Sequence, residues 1–255
     1  MTPATRPWLR WGVAIVVWLA VWQAGAMLIG HEVLLVSPVR VLLRLGELAP
    51  TGAFWASVGY SLARIAAGFV LAVVLGFGLA LLASLNPWLA ALIEVPVRVI
   101  RSVPVVSVII LILIWANAAW LSATVSCLMV LPIVYANAAE ALATRDGALD
   151  ELARVFEWSR ARRWWAITLP GLLPFLVAAC RVGAGLAWKA GISAEVIGLP
   201  RGSVGERLYQ AKLYLSSADL FAWTLVVVAL AFVCERVVLW LLARLQTWLT
   251  GRYAR

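Results

Sequence analysis

Residues 102–139 read SVPVVSVIILILIWANAAWLSATVSCLMVLPIVYANAA and carry no charged side chain. A helix rises about 1.5 Å per residue, while the hydrocarbon core of a bilayer is about 30 Å thick. One straight helix of this length would far overshoot a membrane, so the run must fold back on itself. Asn117, between Trp115 and Trp120, is the natural turn and divides the run into two short spans, roughly 103–116 and 121–139. Pro96 and Pro104 bracket Val97–Val103 just before the first, and Pro132 lies within the second. Each proline removes a backbone donor and bends or breaks a helix, which is tolerated at membrane depth where the backbone faces protein or water. Segment 87–101 (PWLAALIEVPVRVIR) then reads as an interfacial helix leading into a short, bent span.

Working outward, four more uncharged or nearly uncharged runs reach the ~20 residues a crossing needs. They are Val13–Ile29, Ile65–Ala83, about Leu172–Gly191, and Leu220 to about Leu242. The fifth span holds Arg181 and Lys189; the sixth has Glu235 and Arg236 near its end. The whole chain agrees: of 255 residues, 64% are hydrophobic and only 13% charged. Ordinary soluble domains are roughly 45–50% apolar and about 25% charged. A soluble monomer, a disordered chain and a nucleic-acid-binding domain are therefore disfavoured, despite a net charge of +9. The apolar runs are continuous, not alternating as barrel strands are. The fold class is an all-α integral membrane protein of about six transmembrane helices. Cys127, Cys180 and Cys234 all lie in apolar stretches and suggest no disulfide framework.

Arg6 and Arg10 precede the first apolar run, as in a signal peptide, but the run is long and Trp-rich with no clear cleavage site. It is expected to remain as an anchor. The domain reading is residues 1–54 as anchor helix and external segment, and 55–250 as the transmembrane domain with a cytoplasmic loop at 140–170. With the N-terminus inside, cytoplasmic segments hold 13 arginines and external segments six basic residues: Arg40, Arg44, Arg64, Arg201, Arg207 and Lys212. The positive-inside rule then places both termini in the cytoplasm and explains the basic balance without nucleic acid.

Small residues recur every four positions in two spans: Gly68, Ala72, Gly76, Ala80 and Ser84 in the second, Ala179, Gly183, Ala187 and Gly191 in the fifth. Such rows let backbones approach closely in lipid. They fit packing within the chain, or alternatively a subunit interface or pore-lining seam. Arg181 and Lys189 should face a cavity or a partner, because a charge turned to lipid is costly. With Trp188 and with Glu195 just beyond the span, they are candidates for a translocation path or gate that meets an anionic solute. A structural ion pair, or for Trp188 an interfacial belt, is the other reading.

Catalytic chemistry is scarce. His31 is the single histidine, without a neighbouring Cys or carboxylate cluster to build a metal site. No serine has a plausible histidine partner. Lys189 is followed by Ala190 and Lys212 by Leu213, so neither lysine completes a phosphate-binding G-x-x-x-x-G-K-[ST] loop. The chain is expected to be non-catalytic, with no metal or cofactor of its own.

The most charged stretch is 140–174, EALATRDGALDELARVFEWSRARRWWAITLPGLLP, with five acidic residues and five arginines between Glu140 and Arg163. Asp146 and Gly147 punctuate the end of span four, and Asp150 begins a short helix with carboxylates in its first turn. Leu152, Val155 and Phe156 form an apolar face; Arg154 and Glu157 form a polar one. Arg160–Arg163 lead to Trp164 and Trp165 at the interface, and Pro170 and Pro174 open span five. Such a helix lies flat on lipid or docks into a soluble partner's groove.

This loop resembles that of the permease subunits of bacterial ABC importers, whose pattern is E-A-A, three residues, G, nine residues, I-x-L-P. Glu151-Leu152-Ala153 occupies the first block and Ile167-Thr168-Leu169-Pro170 the last, at the expected distance. Leu152 replaces the first Ala and Glu157 stands in the Gly position. The resemblance extends over roughly 55–245, with Ser37-Pro38, the SLARIAAGF opening of span two and the Glu195–Gly205 region. It is nearest to the nitrate/sulfonate/taurine and pyrimidine-precursor branch.

The resemblance implies a type I importer permease fold in the bacterial inner membrane. Asp150, Glu151, Leu152, Ala153, Arg154, Phe156, Glu157 and Arg160 would form the coupling helix, seated in an ATPase subunit. ATP and Mg would sit on that partner. Two permease copies, expected as a homodimer, would meet two ATPases below and a periplasmic or lipid-anchored solute-binding protein above. Segments 31–57 and 192–219 would receive that protein, the second as a turn-rich loop. The alternative is an ion-gradient-driven secondary transporter or channel. Such a carrier would not need the docking helix and would more often carry a titratable carboxylate within a span. Glu235 is the one candidate for that carboxylate on this reading.

Overall fold

The computed structural model describes residues 7–144 and 147–253. Arg6, Arg145, Asp146 and Arg255 lie outside the described residues, as do the side chains of Asp150 and Arg252. Among the described residues all regular structure is helical. The helices are α1 (Pro7–Ile29), α2 (Pro38–Leu48), α3 (Gly52–Ala83), α4 (Pro87–Ser102), α5 (Val105–Trp115), α6 (Leu121–Ala143), α7 (Gly147–Val155), α8 (Arg160–Arg163), α9 (Leu169–Gly198), α10 (Val204–Leu213) and α11 (Ser217–Tyr253). A π-helical turn, Trp164–Thr168, joins α8 to α9 without a break. Pro170 has no N–H for the preceding turn, and a widened turn accommodates its ring.

Five helical runs are long and apolar enough to cross a membrane: Leu9–Ile29, Gly52–Ala83, Ala118–Ala143, Arg160–Gly198 and Ser217–Thr247. A sixth crossing is the pair α4 and α5, bent by 106°. That break falls at Val103-Pro104. The charge-free run is interrupted again between α5 and α6, where Asn117 Oδ1 accepts from Ala119 N at 2.9 Å. Pro132 lies within its span and Pro96 within the 87–101 helix, as expected, whereas Pro174 lies inside α9 and not at its opening. None of the three ends its helix. Each costs one backbone hydrogen bond, which flanking turns and neighbouring helices absorb in a membrane protein.

The core is a three-helix unit of α3, α6 and α9. A Cβ on Gly68 would overlap the carbonyl of Ala123, and one on Gly76 would lie 2.9 Å from Val134. Numbers rise together, so α3 and α6 run parallel. Gly183 abuts Val130 and Gly191 abuts Ser126, so α9 runs antiparallel to α6. The small-residue rows are therefore this seam within the chain: Gly68, Ala72, Gly76, Ala80, Ala179, Gly183, Ala187 and Gly191 are all buried. Ser84 is exposed and does not belong to it. Here van der Waals contact and interhelical hydrogen bonds replace the hydrophobic drive that lipid cannot supply. One such bond is Ser126 Oγ to Ala187 O, 2.9 Å.

Parallel α3 and α6 require the chain to return across the membrane between them. At about 1.5 Å per residue, the 11 residues of α5 span only about half the hydrocarbon core. The bent α4–α5 pair makes the return.

The same geometry fixes two ends of the molecule. The starts of α3, α6 and α11, the end of α9, and α2 and α10 share one end. α7 follows α6 at the opposite end. At the first end, α2 is pinned to α11 by Arg44 Nε and Asp219 Oδ1 at 2.6 Å, and Arg44 also pairs with Glu47 at 2.6 Å. The hydrogen bond Arg44 donates to Asp219, then the one it donates to Glu47, push its guanidinium above its ordinary range. By contrast, the faces of α1 and α11 that no protein covers are hydrocarbon, including Trp18, Leu28, Phe232 and Trp240.

Candidate functional site

Two regions carry polar chemistry, one at each end of the bundle. The first is α7 and its exit. The helix starts at Gly147, three residues before Asp150, and ends at Val155, so the helix expected over about 150–162 is earlier and shorter. It closes with paired bonds, Trp158 N to Ala153 O at 2.9 Å and Glu157 N to Arg154 O at 3.0 Å. This 6→1 and 5→2 pattern is a Schellman cap, which needs a left-handed residue at the position after the cap. That residue is Glu157, with φ +52. Only glycine takes this conformation without a Cβ penalty, which is about 1–2 kcal/mol for other residues. The departure noted at Glu157 thus leaves the turn intact and costs it stability.

Ala153 is buried, whereas Leu149, Leu152, Val155 and Phe156 are exposed, the last three at 53%, 77% and 65%. Glu151, Arg154, Glu157 and Arg160 are also exposed, and none of them forms a salt bridge among the described residues. The helix thus presents an uncovered apolar face, rimmed by charges that form no ion pair among the described residues. Ser159 Oγ then caps α8 through Arg162 N, and Arg162 lies 4.5 Å over the Trp158 ring.

The second region surrounds Glu195. This residue does not lie in a loop beyond the span: α9 continues to Gly198, and most of 192–219 is helical. Glu195 is wholly buried at 0% exposure. Its Oε2 accepts from Ser61 Oγ at 2.6 Å and from Gly205 N at 3.3 Å. Ser61 Oγ in turn accepts from Val204 N at 2.9 Å. The carboxylate therefore sits at the N-terminus of α10, where backbone N–H groups and the helix dipole favour negative charge. A Cβ on Gly205 would overlap Glu195, so glycine is what admits this approach. Ser203 Oγ caps α10 by accepting from Glu206 N, and Glu206 Oε2 accepts from Gly202 N at 2.6 Å. Glu195 Oε1 and Ser122 Oγ are both buried and make no hydrogen bond in this conformation. Glu235 is consequently not the one carboxylate within a helical span.

The other suspected path residues separate. Trp188 is 1% exposed, and its Nε1 donates to Val227 O at 2.8 Å, tying α9 to α11. It is a buried residue bordering the apolar cleft between α3, α9 and α11, not an exposed member of an interfacial belt. Arg181 and Lys189 are exposed and have no ion-pair partner among the described residues. With Gly171, Pro174, Ala178 and Ser193, also exposed, they follow one stripe along α9. One further charge in a span is satisfied internally: Arg64 Nε donates to Ala119 O, and its guanidinium lies 4.0 Å over Tyr60 and 5.4 Å over Trp120. A cleft of about 530 Å³ between α3, α9 and α11 is lined by Phe69, Val233 and similar side chains. It offers almost nothing to a polar solute.

The serines of this cluster were not singled out in the sequence. Ser57 and Ser61 continue the buried α3 stripe of Ile65, Gly68 and Ala72 backward by one and two turns, and that spacing was the available signal.

Comparison with known proteins fits this architecture. The family "Binding-protein-dependent transport system inner membrane component" matches residues 61–251. The putative aliphatic sulfonates transport permease protein of Bacillus subtilis is 25% identical over 247 residues, covering 94% of this chain and 88% of the relative. The taurine transport system permease protein of Escherichia coli is 25% identical, covering 92% and 86%. The bicarbonate transport system permease protein of Synechococcus elongatus is 27% identical over 200 residues, covering 78% and 70%. A chain of the MetNI methionine ABC transporter in an inward-facing conformation superposes with a TM-score of 0.60 at 16% identity, covering 77% of this chain and 96% of that one, and shows the shared fold. This multi-pass chain belongs to the inner-membrane permease components of binding-protein-dependent ABC importers, in the nitrate/sulfonate/taurine branch.

Proposed function

We propose that this permease is the non-catalytic half of its transporter's energy coupling, and that α7 is the element an ABC ATPase grips. The uncovered apolar face of α7, ringed by unpaired Glu151, Arg154, Glu157 and Arg160, is the observation that carries the reading. A helix-in-groove contact anchored by Leu152, Val155 and Phe156 covers that face. Ala153 packs inward and seats the helix on the bundle, and Asp150 lies in the same helix. ATP and Mg are held by the partner. On this reading α7 faces the cytoplasm, both termini lie on the same side, and residues 55–250 are the working transmembrane domain behind the 1–54 anchor.

The exposed stripe of α9 supplies the solute path. Two cations turned to hydrocarbon are costly, so the stripe faces water between two permease copies, arranged as a homodimer over two ATPases. Arg181 and Lys189 favour an anionic solute. The relatives named for sulfonates, taurine and bicarbonate point the same way, since each of those solutes carries an anionic group. Trp188 and Glu195 support the stripe from inside the protein. A gradient-driven carrier is not favoured, because the family is that of ABC importers and Glu195 is sealed from any path.

The test is co-purification with the ATPase subunit. Leu152→Asp with Phe156→Asp is expected to abolish pairing while the permease stays monodisperse. Pairing that survives this double substitution would remove α7 from the account.

A further inference from the structure

At the end of the bundle opposite α7, the ends of α2 and α10 and the starts of α3 and α11 enclose a pocket of about 230 Å³. Small-molecule clefts run roughly 300–1,000 Å³, so this pocket is sized for one side chain. Its floor is aromatic: the Phe54 and Trp223 rings stack at 5.0 Å and are both buried. One wall is the Arg44–Asp219 ion pair, whose charges are already spent on each other and on Glu47. The other wall holds Arg207 and Gln210. Arg207 makes one long hydrogen bond, Nε to Ser57 Oγ at 3.3 Å, and has no carboxylate partner among the described residues. A guanidinium has five N–H donors in a planar fork that matches a carboxylate. The rim is Tyr214, with Leu213 and Leu215 beside it, at 77%, 63% and 70% exposure. A partly buried arginine sharing a pocket with two buried aromatic rings, edged by an exposed tyrosine, has the composition of a protein–protein hot spot.

We infer that this pocket seats one acidic side chain of the solute-binding protein, with Arg207 as its counter-charge. The inference rests on the permease reading, which makes this end the external one. The carboxylate forks onto Arg207, its methylenes lie on Phe54 and Trp223, and the partner's surface closes on Tyr214. Arg44–Asp219 braces the far wall and fixes α2 against α11. The seat thereby registers the binding protein over the start of α3 and α10.

The permease–ATPase complex in nanodiscs, titrated with its cognate solute-binding protein, tests this. Arg207→Glu is expected to raise the Kd at least tenfold, and Arg207→Gln to raise it less while flattening its salt dependence. Tyr214→Ala, at the exposed rim, is expected to weaken binding several-fold without touching the interior. Reversing one acidic side chain of the binding protein to arginine should restore affinity to Arg207→Glu. A Kd within twofold of wild type for Arg207→Glu overturns the inference. So does an effect seen only in discs of anionic lipid, which would assign the pocket to a headgroup. Lost transport at unchanged Kd also overturns it, by assigning the pocket to the solute. Failure of the permease reading looks different: no ATPase would be retained and there would be no complex to titrate.

Discussion

The two polar ends of this bundle are built on opposite plans. At the Glu195 end, polar groups are buried and bonded across elements: Ser61 from α3, Glu195 from α9, and Val204 and Gly205 from α10. At the α7 end, apolar groups are exposed and the surrounding charges unpaired. The Glu195 cluster is held by bonds between elements of the chain, whereas α7 presents an uncovered apolar face. On the proposed reading, force enters at the uncovered helix, which acts as a handle, and the bonded end moves as a unit.

Breaking the Glu195 cluster should have the largest effect on the isolated permease. Glu195→Leu strands the Ser61 hydroxyl and the Gly205 N–H, at about 1–3 kcal/mol per buried unsatisfied group. Thermal unfolding in detergent should show a loss of that size. Glu195→Gln keeps an acceptor for both donors and offers an N–H toward Ser122, so it should stay close to wild type. Equal losses for the two would show that charge, not hydrogen bonding, holds this end.

The stripe between the two ends gives the next effect. Arg181→Ala with Lys189→Ala should cut transport in proteoliposomes by tenfold or more, about 1.4 kcal/mol at 25 °C, with ATPase pairing intact. Transport at wild-type rates would return both cations to a structural role.

Smaller still is Glu157→Gly. It relieves a left-handed non-glycine residue and should stabilise the α7 exit by about 1 kcal/mol, less the added entropy of glycine in the unfolded chain. Slower amide exchange at Trp158 would report it. The smallest expected effect is Leu152→Asp with Phe156→Asp on the stability of the permease alone. Both side chains are uncovered, so the change should stay within about 0.5 kcal/mol. A large loss would mean that α7 is part of the core and the contrast between the ends is false.

The crossings were legible because lipid imposes an unbroken apolar run and forbids unpaired backbone. The fold-back at Asn117 followed from length alone. The same reasoning misplaced Glu195, since charge was used to mark where a span ends. Glu195 stays within α9 because Ser61 and Gly205, 134 and 10 residues away, satisfy it. Trp188 looked like an exposed aromatic for a similar reason: its acceptor, Val227 O, is supplied by another helix. Pro174 was expected to open span five but lies inside α9, because a packed bundle holds a helix together across one missing bond. The start of α7 was set at Asp150 on its carboxylates, although the helix already begins at Gly147. The Glu157 turn was readable only through the glycine that relatives of this loop carry there.

The most direct measurement of the central claim is hydrogen–deuterium exchange of the permease with and without its ATPase. Residues 149–156 lie on a helix with an uncovered apolar face, and pairing should protect their amides more than any other segment, while those around 195–205 change little. Protection absent from 149–156, or concentrated at the Glu195 end, would contradict the assignment of α7 as the handle.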